Sequence, residues 1–159
     1  MQRITPCLWF NDNAEAAVKF YISIFKNSKI TTVTHYGEAG ARASGRPVGT
    51  VMTIAFRLAG QDFLALNGGP IFTFSPAISL VANCKTQKEI DDLWRKLGTG
   101  GRVDQCGWLQ DKFGVSWQIV PADIGKMVQD RRDGRADRVM KAILGMKKID
   151  LATLRRAAR

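Results

Sequence analysis

An α+β fold built from one βαβββ unit used twice is what this sequence predicts. Two patterns carry that prediction. Segments with two-residue apolar alternation are interrupted, at matching places in each half, by segments with three- and four-residue apolar spacing. The order strand, helix, three strands is spelled from the N-terminus to about residue 70 and again from about 77 to 121, and a helical stretch follows. At 159 residues the chain is long enough to bury an ordinary core.

The first unit opens with a strand over Ile4–Phe10. Asn11 or Asp12 is placed to cap a helix over Ala14–Phe25, whose Ala17, Val18, Tyr21 and Ile24 or Phe25 share one side. Strands follow over Ile30–Tyr36, Val51–Leu58 and Phe63–Leu66. The Gly- and Ala-rich stretch Gly37–Gly49 reads as a loop, and Gly60-Gln61-Asp62 as the turn joining the last two strands.

The second unit starts with a strand over Ile78–Cys84. Thr86 caps a helix running to Leu97, with Glu89 completing a capping box and Ile90, Leu93, Trp94 and Leu97 on its buried side. Gly98–Gly101 stops that helix. A short strand near Arg102–Gln105 precedes a hairpin over Trp108–Pro121 that turns through Asp111–Gly114. On the closing strand Ser116, Gln118 and Val120 share one face, while Trp117 and Ile119 share the other. Trp117 and Trp94 are assigned to helix–sheet packing. A glutamine inside an apolar strand needs a polar partner or an open cavity, so Gln118 is the first candidate functional residue. Neither half covers its own sheet, and the two are expected to pair around a shared concavity.

The organisation expected is one domain over 1–125, with modules of about 1–70 and 77–121, and a helical extension over 126–159 packed on it. Helices are predicted around Asp123–Arg131, Arg135–Leu144 and Leu151–Ala158, the last capped by Asp150. Val139, Ile143 and Met146 form an apolar stripe read as packing.

The formal charge of +10 is unevenly placed: residues 126–159 hold 11 Lys/Arg against 4 Asp/Glu, and residues 1–125 hold 13 against 10. The basic stretch has no aromatic residue to stack on bases, so a solvated helix face is expected there rather than nucleic-acid binding. Cys7, Cys84 and Cys106 have no paired spacing and read as reduced thiols, which points to the cytoplasm. No apolar run reaches the length of a membrane span and no secretion signal is read at the N-terminus, so no membrane partner is expected.

The doubled order, the helix Asn13-Ala14-Glu15-Ala16-Ala17 to Phe20-Tyr21, and the closing Asp-x-x-Gly-x-x-x-Gln strand (Asp111, Gly114, Gln118) resemble the vicinal-oxygen-chelate superfamily of glyoxalases, extradiol dioxygenases and bleomycin resistance proteins. Asn67-Gly68-Gly69-Pro70, the segment from Cys106-Gly107-Trp108 to Trp117-Gln118, and Lys147-Lys148-Ile149-Asp150 look like its PhnB-like branch, described as 3-demethylubiquinone-9 3-methyltransferase-like. The resemblance spans essentially the whole chain. It implies a glyoxalase-like curved mixed sheet and a homodimer.

The resemblance places the superfamily's divalent-metal ligands at or near Thr5, at Asn67, at Ala77 and at Gln118. Metal-binding members use His, Glu or Gln there. An alcohol, two amides and a methyl group are weak donors or none, so neither a catalytic metal nor a cofactor is expected. His35, the lone histidine, is read as a rim residue. Alternation puts Cys7 and Trp9 with Thr5, and Phe63 and Ala65 with Asn67, while Ser79 and Ser116 join the inward set. The expected ligand-binding residues are therefore Thr5, Cys7, Trp9, Asn67, Ser79 and Gln118, with Phe72 and Phe74 placed to close over the ligand. Cys7 and Cys106 are read as structural thiols, and no inward carboxylate offers acid–base chemistry.

The function expected is metal-independent binding of a small, partly apolar organic molecule. The competing readings are a metal-dependent lyase, isomerase or dioxygenase, the ubiquinone-type methyltransferase of the branch description, and a nucleic-acid-associated protein using the basic C-terminal stretch. Against the methyltransferase, the first strand is followed by Asn11-Asp12-Asn13 and not by a glycine-rich turn.

Overall fold

In the computed structural model, which describes residues 2–129 and 132–159, the repeat is written in the strand pairing. Strands β1 (Cys7–Phe10), β2 (Lys29–His35), β3 (Val51–Leu58) and β4 (Gln61–Asn67) form a sheet of order β1-β4-β3-β2. Strands β5 (Leu80–Cys84), β6 (Arg102–Val103), β7 (Trp108–Gln110) and β8 (Ser116–Pro121) form another of order β5-β8-β7-β6. In each sheet the first strand runs parallel to the last and the remaining pairs are antiparallel. The chain divides into two units, one ending at Phe74 and the other beginning at Ser75.

In the first unit, helix α1 (Ala14–Ile24) packs on β3 and β4 through Ala14, Ala17, Val18 and Tyr21. The register pairs Leu8 with Ala65, Phe10 with Asn67, Ala65 with Ile54 and Phe63 with Phe56, so these residues share the helix-covered face and are all buried. The opposite face carries Cys7, Trp9, Thr53, Ala55, Leu64 and Leu66, which are half-buried apart from the exposed Cys7. Strand β1 is shorter than expected: Ile4 is 83% exposed, although the Pro6 carbonyl already accepts from the Leu64 N–H at 2.9 Å.

Two local readings are corrected. The stretch read as a loop over Gly37–Gly49 contains helix α2 (Glu38–Ser44), because Ala39, Ala41 and Ala43 favour a helix and the glycines at its ends act as its start and stop. Gly45, at φ +71, is the left-handed residue that ends it. The β3–β4 turn is Ala59-Gly60, both left-handed at φ +49 and +87, so Gln61 and Asp62 belong to the strand.

The second unit packs helix α3 (Gln87–Gly98) on its sheet with Ile90 and Leu97 fully buried. Thr86 Oγ1 accepts from the Glu89 N–H at 3.2 Å as the capping box requires, but the Glu89 carboxylate accepts from Lys85 N–H at 2.6 Å, one residue earlier than the motif. The C-terminal helices α4 (Ile124–Gln129), α5 (Arg135–Leu144) and α6 (Leu151–Ala157) belong to this unit. Asp130 and Arg131, expected to finish the helix begun at Asp123, lie outside the described residues. Among the described residues no helix is long and apolar enough to cross a membrane.

The Lys147–Asp150 segment is the clasp of this extension. Met146 and Lys147 carbonyls accept from the Cys106 and Gly107 N–H groups at 2.8 and 2.7 Å, and the Gln87 side chain bridges the Ile149 carbonyl and the Leu151 N–H at 3.0 and 2.8 Å. Ile149 and Leu154 are fully buried. The Lys148 ammonium pairs with Asp91, and with Gln87 it holds that carboxyl below the usual carboxylate range. The Thr153 hydroxyl and N–H do the same to Asp150, the cap of α6. Both carboxyls therefore titrate lower folded than unfolded. Their contribution is complete above the unfolded value and is lost as pH falls through the folded one. Acidification below about pH 4 is expected to loosen this clasp before the sheets. Amide hydrogen exchange at Leu151 and Thr153, corrected for intrinsic rate, checks it: protection that is unchanged by acid contradicts the assignment.

Candidate functional site

The Asn67-Gly68-Gly69 run is explained by two opposite faces of one sheet. Asn67 points to the helix-covered side and is 2% exposed. Its Oδ1 accepts from the Ala14 N–H at 2.9 Å, and its Nδ2 donates to Glu15 Oε2 at 2.7 Å and to the Val51 carbonyl at 3.1 Å. Asn13, at the N-cap position of α1, makes no side-chain cap bond, so the cap expected from Asn11 or Asp12 is supplied by an amide from β4. The Tyr36 hydroxyl donates to the Asn67 carbonyl at 2.7 Å.

The next residue serves the other face. A Cβ at Gly68 would lie 2.3 Å from the Trp9 ring, so only glycine lets that indole lie flat against the backbone. The Trp9 Nε1–H donates to the Gly69 carbonyl at 2.9 Å, and Phe72 meets the ring edge-on with centroids 5.0 Å apart. Phe74 instead meets the buried Phe10, at 5.1 Å.

This geometry corrects the placement of Asn67. The parallel register sets Trp9 opposite Leu66 and Phe10 opposite Asn67, so the structure does not bring Asn67 to the face of Cys7 and Trp9. Thr5 is exposed two residues ahead of β1. Cys7 lies on the open face, and partial burial raises its thiol pKa. His35 ends β2, exposed, opposite Val51.

In the second unit Gln118 stands in register with Val81 and Trp108, on the face opposite Leu109, Trp117 and Ile119. It is half-buried, and its Nε2 donates to Ser79 Oγ at 2.9 Å. Among the described residues nothing donates to its Oε1. The structure thus joins Ser79 and Gln118 and adds Trp108, half-buried beside them, which sequence reasoning did not list. Its signal was available: Trp108 and Gln110 alternate with the buried Leu109 as Gln118 alternates with Trp117 and Ile119. Ala77 is exposed, two residues before Ser79.

Asp111 is the hub of the motif around Gln118. It is 3% exposed; Oδ1 accepts from the Phe113 and Val115 N–H groups at 2.8 and 3.1 Å, and Oδ2 accepts from Trp117 Nε1 at 2.8 Å. The aspartate therefore builds the turn and anchors the buried indole, and the alternate residue Gln118 is left to the open face. Cys84 is buried, and burial, with Glu89 adding to it, pushes its thiol pKa up to about 11. Among the described residues no group of three or more His, Cys, Asp or Glu comes together. A concavity of about 620 Å³ lies over α2 and the residues after it, lined by Glu38, Arg42, Arg46, Pro47 and Val48, and none of the expected site residues line it.

A protein-family model described as 3-demethylubiquinone-9 3-methyltransferase matches residues 2–120. The PhnB protein of Bacillus cereus, which carries the same methyltransferase description, is 38% identical; the match covers 76% of this chain and 100% of that one, with a TM-score of 0.68. The protein PA1353 of Pseudomonas aeruginosa, 21% identical over 74% of this chain and 95% of that one, shares the fold at a TM-score of 0.59. No protein of curated function matches significantly.

Proposed function

This chain belongs to the PhnB-like branch of the vicinal-oxygen-chelate superfamily, and on that footing we propose that it is a metal-independent binding protein for a small, neutral, partly apolar molecule. The observation that carries the reading is the Ser79–Gln118 pair beside Trp108, next to the half-exposed Val81. A half-buried amide with a free carbonyl oxygen gives orientation, and an indole gives contact area. On the other sheet, Cys7 and Trp9, with Thr5 ahead of the strand, offer a comparable surface. Three unpaired thiols fit a reducing cytoplasm, and the family resemblance supports a homodimer.

The donor set at the superfamily's chelating positions does not fit a divalent cation. The Asn67 oxygen caps α1, Ala77 has no donor atom, the Gln118 amide bonds Ser79, and Thr5 offers a neutral hydroxyl. Protein purified without chelator is expected to hold no stoichiometric Zn, Fe, Mn or Ni; finding one contradicts this reading. The branch description favours a second reading, methyl transfer. The residues after β1, Asn11-Asp12-Asn13, do not form a glycine-rich cradle for a nucleoside methyl donor, and calorimetric binding of S-adenosylmethionine is the result that would promote it.

A thermal-shift screen of neutral aromatic and quinone-like compounds tests the proposal. Gln118→Ala is expected to weaken a hit about tenfold while the melting point of the free protein stays nearly unchanged. A collapsed melting point instead makes Gln118 a structural amide.

A further inference from the structure

The C-terminal extension holds the chain's largest excess of charge, and the family match ends before it, at residue 120. Helix α5 buries Val139 and Ile143 and turns its other side outward. There Met140 is 42% and Leu144 62% exposed, one helical turn apart, with Asp137 and then Lys141 beside them on the outward side and Arg138 farther round. The Arg138 Nε–H donates to the Ala157 carbonyl at 3.1 Å, which draws the last turn of α6, with exposed Arg155 and Arg156, to the same helix. Among the described residues no carboxylate lies within ion-pair distance of Lys141, Lys147 or Arg155, while Arg156 donates to Thr153 Oγ1 at 2.9 Å near the Asp150 carboxyl. Asp137 is the one acid on α5.

We infer that the α5–α6 face docks on an anionic lipid bilayer as a peripheral contact. Headgroup phosphates neutralise the unpaired cations, and Met140 and Leu144 enter the boundary between headgroups and acyl chains. A nucleic-acid backbone answers the cations but leaves those two apolar side chains in water, and residues 126–159 hold no aromatic ring to stack on bases. A second copy of the chain would cover the apolar pair but bring two basic faces together.

Co-sedimentation of the full chain with phosphatidylcholine vesicles, with and without phosphatidylglycerol, tests this. The expected result is binding to the mixed vesicles only, weakened by added salt. Lys141→Gln with Arg155→Gln is expected to reduce binding about tenfold, and Met140→Ser with Leu144→Ser to reduce it comparably at unchanged charge. All four side chains are exposed, so the melting point is expected to hold. Equal binding to both vesicle types, no binding to either, or indifference to salt overturns the inference with the wild-type protein alone. Duplex DNA binding without vesicle binding overturns it in favour of nucleic acid, and self-association lost in the Leu144→Ser variant without vesicle binding overturns it in favour of a second copy.

Discussion

Asn67→Ala is expected to destabilise the protein by about 2–4 kcal/mol and to leave the open faces of both sheets unchanged. The side chain is buried and makes three hydrogen bonds: to the first N–H of α1, to the Glu15 carboxylate and to the Val51 carbonyl. Its loss removes a helix cap, worth about 1 kcal/mol, leaves the buried Ala14 N–H unpaired at about 1–3 kcal/mol, and breaks two part-buried bonds. Asn67→Asp keeps the cap acceptor but sets a second carboxylate against Glu15, so it is not expected to rescue stability. Urea unfolding of the three proteins measures this. An unaltered midpoint in Asn67→Ala, with loss of a ligand that the wild type binds, contradicts the placement.

The second large effect is Trp117→Ala, expected to cost about 3–5 kcal/mol as a truncation of a buried ring. The indole is 3% exposed, and it also satisfies Asp111 Oδ2, the carboxylate that shapes the turn into β8. Trp117→Phe keeps most of the ring but removes its hydrogen bond to Asp111, so it is expected to fall between alanine and wild type. Denaturant unfolding orders the three, and a phenylalanine variant as stable as wild type would mean that the Asp111 bond contributes nothing.

Much of the fold is readable from period and punctuation alone. The bounds of β3 and α5 coincide with the apolar pattern over Val51–Leu58 and Arg135–Leu144, since both bury one face against a neighbour. The Thr86 and Asp150 caps are legible because their chemistry is local. Helix α2 was hidden by glycines that stand at its ends and within it, where composition resembles a loop.

The site was less legible, for a reason of register. Alternation correctly grouped Asn67 with Ala65 and Phe63, and separately grouped Trp9 with Cys7. Which face each group takes depends on a parallel pairing between strands more than fifty residues apart, and no local pattern sets it. In β8 every residue but Gln118 is buried, and there the half-buried Gln118 and Ser79 do meet. Asp111 was readable as a turn residue, but its bond to the Trp117 indole depends on the folded hairpin.

Proton–nitrogen NMR of the side-chain amides, recorded while a screening hit is titrated, separates the two asparagine- and glutamine-bearing faces in one experiment. Resonances of Gln118 and of the Trp108 indole are expected to move with ligand, while those of Asn67 stay fixed. Movement of Asn67 with Gln118 unperturbed would contradict the account.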